Sequence, residues 1–434
     1  MTYSFLAANY AKIEPETQSM IDGYVRALYD GQASADIMLT DLAMHTAGRL
    51  LDGYVQGYER PLFGPDWTAR DNALLTRVQA NLFAFSGAKT YAEMKDLRDS
   101  VYDAKGNLLP WTNFAAKAQG INARYNLTYL EAERQAVITS GTMGSRWVEI
   151  EQTASTHPYL QYVTAGDNRV RSSHAALNGI ILPVDSAFWQ QYYPPNGWRC
   201  RCYVRRLTER EAEHRRRQAE SRGRELPDEE TAQKIGGRAA DKQWRHNVGT
   251  SEIFERDGHP YFRASKAARD MQLSATRNYG MPSVERIYDR PAWLSKYGQP
   301  LASREEYAAY WQRMRDEHPA ADGLGFTLTD KARGVMAHFP ESLYDKMINR
   351  GRMEYFSEAE AVFSEPDEIW YVLKGSSRNY LKDEIFTAYV KYYEDTPIIM
   401  PIDAAGIVNS FYKWNKSLKN FEEWRTGVLK YKKR

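Results

Sequence analysis

Cys200 and Cys202 are the only two cysteines in the 434-residue chain, and a single residue separates them. Two thiols so close cannot form the disulfide framework of a chain this long, so their spacing asks for another chemistry. Thiolate sulfur and imidazole nitrogen are the donors tetrahedral zinc prefers, and His174, with His157 further upstream, supplies nitrogen for a set with Cys200 and Cys202. Side chains at i and i+2 of a regular strand share a face without converging. Pro194, Pro195 and Gly197 just upstream provide the bend that convergence on one ion would need. The alternative is a pair of reduced thiols packed as small apolar groups. No cofactor other than zinc is indicated.

A second constellation occupies the last hundred or so residues. Lys374, Arg378, Tyr380 and Lys382 are followed by Asn409, Ser410 and Tyr412 and then by Arg425, with His338 upstream. A histidine that moves protons, together with Arg or Lys that stabilises charge on a phosphate, suits metal-independent phosphodiester cleavage; Ser410 or Tyr412 would position the substrate. On the competing reading, the basic residues guard strand edges against pairing with another chain. A third cluster lies on Leu207–Arg224, where Arg210, Arg215, Arg216, Arg217, Arg222 and Arg224 are mixed with four glutamates. Such a run is either a solvated helix face or a phosphate-contacting patch centred on Arg215, Arg216 and Arg217.

The elements that must position these residues follow from periodicity. Apolar residues recur at helical spacing over 37–143, for example Leu51, Tyr54, Val55 and Tyr58, then Leu75, Val78, Leu82 and Phe85. Residues 1–150 therefore read as a helical part. Over 151–208 the period fails and Pro, Gly, His, Trp and Cys crowd together, giving a small irregular module. Residues 209–325 read as a charged helix and an extended linker with short helices. In 326–434 a helical stretch to about 352 precedes strand-like runs at 368–374, 386–393, 397–402, 407–414 and 427–432. The expected class is multidomain α+β: helical N-terminal region, His/Cys module, then helix plus antiparallel sheet.

Composition is consistent with this. A hydrophobic fraction of 43% and a charged fraction of 26% are those of a folded protein, and a net charge of +2 gives no whole-chain attraction to nucleic acid. No run of about 18 apolar residues occurs, so no membrane association is expected.

The strings VQANLFAFSGAKTY from Val78, YLEAERQAV from Tyr129, YLQYVTAGDNRVRSSHAALNGIILPVDSAFW from Tyr159 and PPNGWRCRC from Pro194 resemble, in order and spacing, the phage Mu F-type head morphogenesis family. WRHNVGTSEIF from Trp244 and HPYF from His259 extend the resemblance to about 73–262. It implies a minor capsid protein, non-catalytic in this region, that acts in head assembly with portal and capsid proteins near packaged DNA, in the virion or the bacterial host cytoplasm. Asp167, Arg169, Arg171, His174, Asn178, Gly179, Trp198, Cys200, Arg201 and Cys202 fall on the family's characteristic positions, with Asn178 standing where many relatives carry Asp. In the C-terminal part, PDEIWYVLK from Pro366, NYLK from Asn379 and WRTGVLKYKK from Trp424 resemble the phage-associated barnase/EndoU/colicin/RelE-like nucleases. That resemblance implies ribonuclease chemistry through the 2′-hydroxyl of an RNA substrate, with His338 as a helix histidine and Arg425 as the arginine before the last strand. Asn409-Ser410 stands where a threonine-containing motif is usual. An ADP-ribosyltransferase effector is disfavoured, because no Ser-Thr-Ser strand with a downstream Glu-x-Glu is present.

Overall fold

Helix-forming periodicity in the first third and strand-forming runs in the last produce a multidomain α+β chain, seen in a computed structural model that describes residues 13–33, 39–255, 259–263, 276–372 and 386–433. It folds as two compact units. One draws on Met1–Ala33, His45–Arg60 and Ala92–Ala264; the other on Ser34–Met44, Pro61–Tyr91 and Ser265–Arg434.

The helices of the first third are α1 (Pro15–Tyr29), α2 (Thr40–Tyr58), α3 (Ala69–Asp99), α4 (Trp111–Ala123) and α5 (Leu130–Thr153). Within the first unit, α2 and α5 cross backbone to backbone, which needs glycine on both sides. A Cβ on Gly57 would lie 2.0 Å from the Ile138 carbonyl oxygen, and one on Gly141 would lie 2.3 Å from that of Tyr54. Beyond α5, β1 (Tyr159–Val163) is the centre of a three-stranded antiparallel sheet, flanked by β2 (Ile181–Pro183) and β3 (Tyr203–Leu207). Alternation along β1 buries Leu160 and Tyr162. They join Met143, Trp147 and Ile150 of α5 and Phe188 and Trp189 of α7 (Ala187–Tyr192) in a core that also contains Cys200 and Cys202. α6 (Ser172–Ala175) carries His174; α8 (Glu209–Glu220) and α9 (Glu229–Ala239) follow β3.

The second unit is built on a five-stranded antiparallel sheet in the order β10-β6-β7-β8-β9, from β6 (Glu368–Val372), β7 (Phe386–Tyr392), β8 (Pro397–Ile402), β9 (Tyr412–Lys413) and β10 (Val428–Lys432). Every residue of β6, β7 and β8 is buried, Glu368, Thr387 and Lys391 included, which explains why these runs are mostly apolar instead of alternating. Ile369, Tyr389, Ile398 and Met400 meet Tyr307, Trp311 and Met314 of α10 (Arg304–Glu317) and Val362 and Phe363 of α12 (Ala359–Ser364). Residues 61–91, which include the first turns of α3, also belong to this unit. There Gln79 accepts hydrogen bonds from the buried Lys430 ammonium at 2.6 Å and from the Tyr371 hydroxyl, and its amide donates to the Gly334 carbonyl at 2.8 Å.

Two local expectations are corrected. The helix expected from 326 to about 352 begins as a hairpin, β4 (Phe326–Asp330) with β5 (Val335–Phe339), and only α11 (Glu341–Asn349) is helical. Phe326 and Leu328, then Val335, Ala337 and Phe339, alternate inward at period two, and Gly334 at φ +63 lets the turn close. His338 therefore sits on a strand. Of the run 407–414 only Tyr412–Lys413 forms a strand, because Asp403 bonds the Ile407 N–H at 2.9 Å in a turn and the Val408 N–H goes to the His338 carbonyl at 2.8 Å. Among the described residues no helix is long and apolar enough to cross a membrane.

Candidate functional site

The chain reaches the cysteine pair through a cis Pro194-Pro195 bond, a turn in which the Cys200 N–H donates to the Gly197 carbonyl at 3.1 Å, and a left-handed Arg199 at φ +58. This path turns both sulfurs toward α6. His174 Nδ1 lies 3.6 Å from Cys200 Sγ and 3.7 Å from Cys202 Sγ. The three donor atoms fall within 4.8 Å of one another, and all three residues are buried. Tetrahedral zinc, with Zn–S near 2.3 Å and Zn–N near 2.0–2.1 Å, places N and S donors about 3.5–3.6 Å apart, so the observed separations suit ligands of a common ion. His157 is not in the cluster; its Nδ1 bonds the Thr156 hydroxyl at 3.0 Å.

The electrostatics point the same way. Contact with Cys202, then the His174 ring and the main-chain N–H groups of Asn196 and Cys202, hold the Cys200 thiol far below its ordinary range, at about 4, against the effect of burial. The same contact, reinforced by burial, pushes Cys202 up. A divalent ion would displace the thiol protons on binding. N–H groups aimed at a thiolate are the supporting contacts that orient metal ligands. The site supplies two sulfurs and one nitrogen, leaving a fourth tetrahedral position to a donor outside this set.

The remaining motif residues brace this loop. Arg171 donates to the Trp198 carbonyl at 2.6 Å, and its guanidinium passes beside Gly197, where a Cβ would lie 3.3 Å from Nη1. Trp198 packs edge-on against Trp244, with ring centroids 5.1 Å apart. Arg201 grips Asp167 through two bonds of 2.6 and 2.7 Å and holds that carboxyl down at about 2. Asn178 accepts from the Thr164 N–H at 3.0 Å, a role that an amide fills without added charge.

The three arginines expected to contact phosphate are separated in space. Arg215 lines a cleft, Arg216 stacks over the Tyr159 ring at 4.8 Å, and Arg217 pairs with Glu213 at 3.0 Å. Arg222 and Arg224 of the same run line that cleft, and so does Arg205, which lay outside the expected run. Alternation along β3 is the signal that flags Arg205; Arg222 and Arg224 reach the cleft because the chain turns after α8.

In the second unit the described candidate residues have different partners. Arg425 has no exposed surface. Its Nε and Nη2 donate to the two oxygens of Glu368 at 2.8 and 2.7 Å, and Nη1 donates to Glu422 at 3.0 Å. Burial alone would weaken its hold on the proton, but the Glu368 carboxylate more than offsets this and the guanidinium stays charged. His338 faces Thr327 Oγ1 at 3.2 Å and Asp322 at 3.9 Å. Ser410 and Tyr412 instead meet Arg352, which lies 3.5 Å from the Ser410 hydroxyl and 5.0 Å from the Tyr412 ring centre. Lys346 donates to the Asn409 carbonyl at 2.5 Å, and burial with Arg350 and Arg352 nearby pushes its pKa down. No hydrogen bond or ion pair joins His338 to Ser410 or Arg425 among the described residues. Lys374, Arg378, Tyr380 and Lys382 lie outside the described residues.

Residues 86–205 match the protein family described as Phage Mu protein F like protein. A stretch of 63 residues, 14% of this chain and 14% of the relative, is 48% identical to the Putative capsid assembly protein F of Escherichia phage Mu. Another of 65 residues, 15% of this chain and 16% of the relative, is 43% identical to the Mu-like prophage FluMu F protein of Haemophilus influenzae. The matches thus span less than a fifth of either relative's length. No solved structure matches the chain. The chain carries a Phage Mu F-like domain, and His174, Cys200 and Cys202 all lie inside it.

Proposed function

We propose that this chain is a phage- or prophage-encoded capsid assembly protein that works with portal and capsid proteins during head formation, and that a zinc ion at His174, Cys200 and Cys202 fixes the loop of its Mu F-like domain. The observation that supports this most is the coincidence of the family match with the buried His/Cys cluster: the matched segment contains all three donors. Bound zinc would act as a cross-link, tying the 194–202 loop to α6. Asp167–Arg201 and Arg171–Trp198 hold the same loop from outside.

In the phage or prophage that encodes it, the chain should co-sediment with head particles, and deleting its gene should cut the yield of DNA-filled heads at least tenfold. Normal heads that form without it would overturn the assembly reading.

A second reading, a ribonuclease in residues 326–434, is favoured by one observation. Lys346 and Arg352 sit beside Ser410 and Tyr412 with no ion pair to a carboxylate among the described residues. Unpaired cations next to a hydroxyl suit a phosphodiester in its transition state. The full-length protein should then cleave RNA without added metal, and His338→Ala and Arg352→Ala should each lower turnover at least a hundredfold. Turnover that is absent, or equal in all three proteins, would remove this reading.

A further inference from the structure

Between β1, β3 and α8 the first unit holds a cleft of about 290 Å3, lined by Arg205, Arg215, Arg222 and Arg224 with the side chains or backbone of Gln161, Asn178, Gly179 and Gln218. No carboxylate lines it. Two of the four glutamates of α8 are engaged outside the cleft. Glu211 closes the helix's N-terminal capping box with Thr208, and Glu213 pairs with Arg217. None of the four guanidiniums makes an ion pair among the described residues.

The sequence builds this arrangement in three steps. Alternation along β3 turns Arg205 out of the core that holds Val204. The α8 register places Arg215 and Gln218 on one side, three residues apart. At the end of α8, Gly223 adopts φ +70 and the Arg224 N–H donates to the Ala219 carbonyl at 3.0 Å, so the chain curls back over the last turn. That curl returns Arg222 and Arg224 to the cleft, where the Arg224 guanidinium docks on the Asn178 carbonyl beside Gly179. The helix dipole favours cations at this end, but it does not require four of them around one concavity.

Like charges held around a concave surface repel one another and focus a positive potential into it. A cleft near 300 Å3 is the size of a small ligand site and too small for a duplex, and guanidinium forks match phosphate oxygens two at a time. We propose that this cleft binds a phosphate-class oxyanion with two linked phosphates, taken either from a free polyphosphate or from consecutive phosphates of a single nucleic-acid strand. The inference stands independently of the capsid assembly reading, because it rests on the cleft alone.

The test uses the full-length protein, inorganic pyrophosphate followed by calorimetry, and a fluorescent single-stranded oligonucleotide without terminal phosphates followed by anisotropy. Arg215→Gln/Arg222→Gln should weaken whichever ligand binds by at least tenfold, with melting unchanged. If the oligonucleotide binds, the slope of log K against log salt should fall by about 1.4 for the two lost charges. Arg217→Gln, which removes an arginine already paired with Glu213 outside the cleft, should leave binding within twofold. Binding of pyrophosphate alone identifies a free polyphosphate as the source, and binding of the oligonucleotide identifies a strand; either supports the site. Failure of both ligands to bind, or an equal loss in Arg217→Gln, overturns it, since an equal loss would reflect net charge instead of the cleft.

Discussion

Arg425→Met is expected to destabilise the second unit by about 3–5 kcal/mol, the usual penalty for removing one partner of a buried ion pair. The variant leaves the Glu368 carboxylate, itself 2% exposed, facing a methionine, with the Trp370 indole N–H still donating to it at 2.7 Å. The carboxylate must then take up a proton or carry an unbalanced charge in the interior. Glu368 also opens β6, whose pairing with both β7 and β10 holds the sheet together, so disorder there would spread. Replacing both residues, as in Glu368→Met/Arg425→Met, removes both charges and should recover more than half of the loss, because neither desolvation penalty then remains. Urea unfolding of the full-length single and double variants measures the effect. A single variant within about 1 kcal/mol of the parent would show that the pair contributes little. Arg425 accordingly acts through sheet stability, and loss of any activity in Arg425 variants would not by itself report on catalysis.

The second large effect concerns the metal. Protein purified without chelator should carry one zinc per chain, and Cys200→Ala, Cys202→Ala and His174→Ala should each lose it. A ligand held at a thousandfold excess over its Kd stabilises a fold by about 4 kcal/mol, so chelation should lower the melting temperature of the first unit by many degrees while leaving the second unchanged. Cobalt substitution gives a readout that a merely structural cysteine would not produce: sulfur-to-cobalt charge-transfer absorption that disappears in Cys200→Ala. Absence of zinc, with melting indifferent to chelator and no cobalt spectrum, would return Cys200 and Cys202 to the reading of two reduced thiols in an apolar core.

The two predictions rest on features with different legibility. The donor types of the His/Cys cluster were evident from Cys200, Cys202 and His174, but their convergence was not. Spacing along a chain reports local period, and His174 and Cys200, 26 positions apart, are separated by a strand and a helix whose packing no period encodes. For Arg425 the sequence offered a phosphate-stabilising arginine or a strand-edge charge; its burial depends on Glu368, a partner 57 residues away. The hairpin at 326–339 was misread as helix because short apolar runs fit either period until an interior is there to select one face.

The sequence by itself determined the Mu F-like segment, the donor types of the His/Cys set, the α+β class and the strand-forming runs of β6, β7 and β8, because each is written in residue type or in a period of a few residues. Only the tertiary structure decided that residues 61–91 complete the second unit, that three adjacent arginines of α8 have three different fates, that Arg205, Arg222 and Arg224 join Arg215 around one cleft, and that Arg425 is sealed inside. Each of these depends on contacts between distant segments, where burial and charge pairing are fixed by the neighbour that arrives and not by the residue's own place in the chain.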